Sequence, residues 1–193
     1  MLTMSCVYLG GTLFSPTVEA AMTDGSTIHG LTESYIDGTT LTGANIVIYA
    51  GAGETTTITA EGKLKLENTS ESAPVIGTVE SGNINFNGDT ITVENPGNNK
   101  SHNVVFAESG TNITFNNETT NIISSGDNGK KFIGVSGNIV FSDTAKTLNI
   151  GNMDGVSNIS GCTGIDVYGQ GSFEFNNTDG IVNIGGFAGT VFG

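Results

Sequence analysis

Apolar side chains alternate with polar ones through most of this chain, and one arrangement of them occurs four times. Gly82-Asn83-Ile84-Asn85-Phe86-Asn87 returns as Gly110-Thr111-Asn112-Ile113-Thr114-Phe115-Asn116-Asn117, as Gly137-Asn138-Ile139-Val140-Phe141-Ser142-Asp143 and as Gly171-Ser172-Phe173-Glu174-Phe175-Asn176-Asn177. Each copy sets a glycine before two apolar positions at i and i+2 and a small polar residue after the phenylalanine, the pattern of a short strand with one buried face. Another aliphatic stands seven positions after each phenylalanine: Val93, Ile122, Leu148 and Val182. The intervals between Phe86, Phe115, Phe141 and Phe175 are unequal, so loops vary while strands hold register.

Each unit predicts up to three strands. In the first clear unit they carry Ile84 and Phe86, then Ile91 and Val93, then Val104 and Phe106; in the next they carry Ile113 and Phe115, Ile122, then Phe132 and Val135. Earlier in the chain, Leu64 and Leu66 are expected to stand where Ile84 and Phe86 stand one turn later. Three short strands in each repeated unit predict an all-β right-handed parallel β-helix, a β-solenoid. An antiparallel sandwich would not require the same order of glycine, aliphatic, phenylalanine and asparagine in every unit. The expected core is Ile84, Phe86, Val93, Ile113, Phe115, Ile122, Ile139, Phe141, Leu148, Phe173, Phe175 and Val182. Asn87, Asn116 and Asn176 read as turn residues whose amides ladder along the stack.

The organisation that follows is a remnant of a secretory signal at 1–20, a polar linker or N-terminal cap at 21–44, and incomplete solenoid repeats at 45–193. Met4 to Phe14 is mostly apolar or small, Pro16 breaks it, and Val18-Glu19-Ala20 before Ala21 fits a small-residue cleavage site at Ala20 and Ala21. The first basic residue is Lys63, so a positive n-region is expected upstream of Met1. Removal of such a signal takes Cys6 with it and leaves Cys162 alone, with no disulfide framework.

Composition supports the strand reading and narrows the partners. The chain holds 29 glycines and 21 asparagines but no tryptophan and no arginine, and glycine, asparagine, threonine and the β-branched aliphatics all disfavour helix. The net charge is −13, from 19 acidic residues against 6 lysines. Phosphate recognition relies on Lys and Arg, so nucleic acid is a poor partner and no nucleic acid is expected to bind, and an anionic membrane surface is disfavoured for the same reason. The charge suits a soluble secreted polypeptide.

Motifs of chemistry are sparse. His29 and His102 fall in no metal-ligand spacing, no nucleophile elbow, P-loop or dinucleotide fingerprint occurs, and Asn176 to Gly180 lacks the spacing of a calcium loop. No cofactor, metal or catalytic residue is expected. Asp166 and Glu174 alternate with apolar neighbours and are expected to point outward. Carboxylates from different units could still meet at roughly 5 to 10 Å, the separation that glycoside hydrolases use. A polysaccharide-active β-helix enzyme or tailspike-like protein with a carboxylate groove is therefore the alternative to a binding module.

The signal end at Val18-Glu19-Ala20, the acidic Gly/Asn/Thr-rich body, the scarcity of cysteine and the Gly-Asn-Ile-x-Phe-Asn repeats together resemble the N-terminal part of a type V autotransporter passenger, or a similar large β-helical adhesin, of a Gram-negative bacterium. The resemblance implies secretion across the outer membrane to the cell surface and a C-terminal outer-membrane β-barrel, which is missing from this sequence. It also implies a rigid stalk that binds host or bacterial surface glycans or proteins through loops such as Pro96 to His102, Ser124 to Lys131 and Gly151 to Gly164. It carries over no catalytic residue. The apolar stretch Gly185 to Gly193 is expected to leave an uncapped C-terminal end through which the chain self-associates.

Overall fold

The computed structural model describes residues 27–70, 73–95, 103–124, 131–152, 163–187 and 190–193. Ala20, Ala21, Cys6, His102 and Cys162 lie outside these residues, as does the signal remnant. The first coil consists of β1 (Ile28–His29), β2 (Thr32–Ile36) and β3 (Thr39–Gly43), and the second of β4 (Ile48–Ala50) and β5 (Thr55–Asn68). Then come β6 (Ile76–Thr78) and β7 (Asn83–Asn95), followed by β8 (Val105–Ala107), β9 (Asn112–Phe115) and β10 (Thr119–Ser124). The next coil has β11 (Lys131–Val135), β12 (Asn138–Phe141) and β13 (Thr147–Gly151), and the last β14 (Thr163–Val167), β15 (Ser172–Phe175) and β16 (Ile181–Gly185).

Every strand pairing is parallel, and partners come from successive coils. The fold is therefore an all-β parallel β-solenoid, with no helix among the described residues. One six-stranded sheet, β1-β4-β6-β8-β11-β14, makes the first face. The other ten strands form a second sheet that bends into two faces, because β5 and β7 run through the bend without a break. Gly88 makes that bend in β7: its φ is +96°, and a Cβ there would lie 2.1 Å from the Ala60 carbonyl oxygen of the coil beneath. Only glycine avoids both the left-handed backbone penalty and that clash.

Inside, identical positions stack. Phe86, Phe115 and Phe141 pair in register, with ring centroids 4.8 and 4.7 Å apart and planes within 13° and 6° of parallel. Ile84, Ile113 and Ile139 form the neighbouring rank. All six are fully buried, as are Val93, Ile122 and Leu148. Phe173 and Phe175 are half-buried and Val182 is exposed, because β15 and β16 pair on one side only among the described residues.

Several expected positions are corrected. The stretch given to a linker or cap contains the first coil: β2 and β3 pair along β5, and Tyr35 and Leu41 are buried. Its polarity reflects strands with one outward face. Leu64 and Leu66 align with Ile91 and Val93, while Thr56 and Ile58 hold the places of Ile84 and Phe86. The seven-position spacing joins two ranks: Val93 and Ile122 align with Ile150, whereas Leu148 aligns with Thr120 and Val182. The bend after Phe141 is two residues longer than the one after Phe115, and an even insertion preserves which side chains point inward, so alternation alone cannot reveal it. On the first face Val105 and Ala107 point inward and Phe106 is half-exposed. Parity shifts there because two consecutive residues turn inward at the strand's entrance. The Val104 carbonyl accepts both Val75 N–H (2.9 Å) and Ile76 N–H (3.2 Å), and both side chains are buried.

Candidate functional site

The described residues form the faces and edges of a rod. On the second face, outward positions line up in ranks along the axis. Asn112 Nδ2 donates to Asn83 Oδ1 at 2.8 Å, Asn138 Nδ2 to Asn112 Oδ1 at 2.9 Å, and Ser172 Oγ to Asn138 Oδ1 at 2.9 Å. A parallel rank places Asn116 Nδ2 3.1 Å from Asn87 Oδ1. Asn176, expected in the same ladder, is separated from Asn116 by the rung that carries Ser142. The third face holds another ladder, in which Asn121 donates to Thr92 (3.1 Å), Asn149 to Asn121 (2.7 Å) and Asn183 to Asn149 (2.8 Å). The ranks of Asn83 and Thr92 went unrecognised in the sequence. Their signal was the polar residue just before each inward aliphatic, at the same offset in each unit.

Charge divides these faces. From β5 to β12 the three outward positions on each of four rungs of the second face are Thr, Asn, Ser or Val, with no charged side chain among them. Exposed Glu61 and Asp89 lie on the adjoining bend and exposed Glu174 on β15. The third face carries Lys65, whose Nζ contacts Glu67 at 2.6 Å and Glu94 at 2.8 Å. Hydrogen bonds to Glu67 and then Glu94 hold the Lys65 ammonium above its ordinary range. An open groove of about 250 Å³ beside them is lined by Gly38, Thr39, Thr40, Lys63, Leu64, Lys65, Thr92 and Glu94. Glu94 lines that groove, and Glu67 reaches the same Lys65 ammonium.

Other titratable groups sit on the strands of the first two faces, among them His29 on β1, Tyr49 on β4 and Glu174 on β15. Burial pushes the Tyr49 hydroxyl up, helped by Glu80, Glu54 and Glu108 nearby. His29 Nδ1 lies 3.3 Å from Glu54 Oε1, on an exposed corner. Glu174 is exposed, in the outward orientation its alternation predicted. Among the described residues no three His, Cys, Asp or Glu side chains are grouped to hold a metal ion.

The edges differ as much as the faces. The connections from the third face back to the first are 44–47, 69–75, 96–104, 125–130 and 152–162, short in the first coil and long in later ones. At the other two edges the longest connections are 142–146 and 176–180. The departure points of the long connections stack, since Gly43 pairs with Asn68 and Asn95 with Ser124. Variable insertions thus leave the rod along one edge. The loop segments expected to bind belong to this edge, and most of their residues lie outside the described ones.

Fold and surface together define the class: a parallel β-solenoid rod with polar ladders on two faces and its variable loops along one edge. Comparison with protein-family models, with curated proteins and with solved structures returns no match.

Proposed function

We propose that this chain is a surface-exposed passenger module of an autotransporter-like adhesin, secreted across the outer membrane, in which the solenoid is a rigid stalk and the loop edge binds host or bacterial surface glycans or proteins. The observation that carries this reading is the collection of the variable insertions on one edge of an otherwise regular stack. Repeat proteins place per-repeat insertions on one face, often the one that binds, and loops held by a rigid scaffold are where recognition concentrates. Charge is compatible with it. The five connections contain three acidic residues (Glu71, Asp127, Asp154) and two lysines (Lys100, Lys130), so this edge is close to neutral in a chain of net charge −13.

Adhesion of the purified chain to immobilised bacterial and epithelial cell surfaces tests the reading. Replacing 96–104 and 152–162 by the short connection 44–47 is expected to lower adhesion while leaving stability within about 1 kcal/mol of the parent, as loop-closure entropy changes slowly with length. Shortened variants that adhere as well as the parent would remove the loop edge from the function.

A further inference from the structure

We propose that the charge-free second face, from β5 to β12, is a docking surface for an extended neutral polysaccharide lying along the rod axis. This deepens the adhesin reading and rests on it for the setting in which such a polymer is met. Three observations carry it. In a chain with 19 acidic residues, four successive rungs keep every outward position of this face uncharged, while Glu61, Asp89 and Glu174 stand at its margins. The adjoining bend also carries Lys63 and Lys146, the latter tied to Glu118 at 2.6 Å, but the face itself offers a polyanion no cation and leaves an uncharged ligand unaffected.

The second observation is repetition. Parallel rungs lie about 4.8 Å apart and outward residues along a strand about 7 Å apart, so hydroxyls and amides form a grid in which each rank presents like groups at every step along the axis. A polymer whose hydroxyls repeat along its length meets the same partner again and again, and many weak contacts sum through multivalency.

The third is preorganisation. The bonds from Asn112 to Asn83 and from Asn138 to Asn112 fix the amides in one orientation. An asparagine amide has two N–H donors and two acceptor lone pairs; Asn112 and Asn138 each give one donor to the ladder and Asn83 gives one to the Ser81 carbonyl at 3.3 Å, so hydrogen-bonding capacity remains for a ligand. Side chains already held in place lose little entropy on binding. No aromatic ring lies among these outward positions, so recognition rests on hydroxyl edges rather than on ring stacking.

Affinity electrophoresis of the full chain tests the proposal, through gels containing a mannan, a mixed-linkage glucan or a galactan, with a polyuronate as the charged control. Retardation is expected in at least one neutral gel and absent with the polyuronate, and it should hardly change with ionic strength, because no charge pair is screened. Asn85→Lys with Thr114→Lys places two cations at the centre of the face without touching the ladder bonds, and should weaken retardation about tenfold or more with the urea midpoint unchanged. Thr114→Glu alone should act in the same direction, which guards against a folding defect in the double variant. Variants with shortened loops should still be retarded, so loss of cell adhesion and loss of polysaccharide binding are read separately. Absence of retardation in every neutral gel, or equal retardation of the charged variants, would overturn the proposal. So would a dimer in sedimentation that the lysine variants dissolve without any glycan retardation, which would assign the face to a second copy of the chain.

Discussion

Between β7 and β12 the phenylalanine rings lie almost flat on one another at 4.7 to 4.8 Å, whereas from Phe141 to Phe175 the separation is 6.2 Å and the planes tilt by 38°. The same local pattern stands in both regions. Phe115 has a strand on each side and is fully buried; Phe175, among the described residues, has one only on the side of Phe141 and is half-buried. Ile181 and Val182, 58 % and 43 % exposed, show the same contrast with buried Leu148. A rung of this solenoid does not bury its own apolar face. Its neighbours do so, and the energetic weight of a residue is set by its place in the stack more than by its type.

That comparison can be broken by substitution. Phe115→Ala is expected to cost about 3 to 5 kcal/mol, because the flanking rings cannot close on the cavity. Phe175→Ala should cost less than half as much, read as shifts of the urea midpoint at constant slope, and equal shifts would contradict the dependence on neighbours.

Glycines sharpen the same contrast. Gly88→Ala combines a left-handed backbone with a Cβ 2.1 Å from the Ala60 carbonyl oxygen and is expected at the top of the range of about 1 to 3 kcal/mol for strained backbone. Gly169, with φ +68° in the last coil, has nothing within 4 Å of its added Cβ. Its alanine variant should stay near the bottom of that range. Thermal melts of the two variants decide.

The ladders predict a smaller difference. Asn112 both donates to Asn83 and accepts from Asn138, while Asn183, on the last coil, donates to Asn149. Asn112→Ala should therefore cost about 1 kcal/mol and Asn183→Ala about half of that, the middle and the lower end of the range for a single intramolecular hydrogen bond. Urea midpoints of the two variants measure the difference.

A tyrosine of the first coil adds an effect confined to alkaline pH. Burial first, and Glu33 second, push the Tyr35 hydroxyl up to about 12 from an ordinary 10. Its proton is held more tightly in the folded state, so its contribution to stability is complete below pH 10 and is lost as pH rises toward 12. Absorbance titration should show one tyrosine ionising near 12, and Tyr35→Phe should remove that step and flatten the alkaline fall in stability.

Period-two alternation and recurrence were enough to foresee parallel coils and the phenylalanine stack, because both are local properties repeated at nearly constant spacing. Bend length was hidden: the two residues added between Phe141 and Leu148 leave every inward position inward. The first coil was hidden too, since Tyr35 and Leu41 stand among so many threonines and glycines that no single strand there is apolar. For the candidate surfaces, the sequence pointed to loops such as Pro96 to His102 but not to the fact that all of them leave along one edge. It offered the asparagines as turn residues and did not show that Asn83, Asn112 and Asn138 stand above one another on a flat face.

The sequence by itself determined that this chain would form short strands with one buried side, that those strands would repeat, and that it carries a net charge of −13. Those properties need only side-chain chemistry and the two-residue period of a strand. The tertiary structure alone decided which residues of different coils meet. Rank, ladder, charge-free face and loop edge all depend on register between positions a full coil apart in the chain, and register is fixed only when every inward side chain packs on the rung beneath it at once.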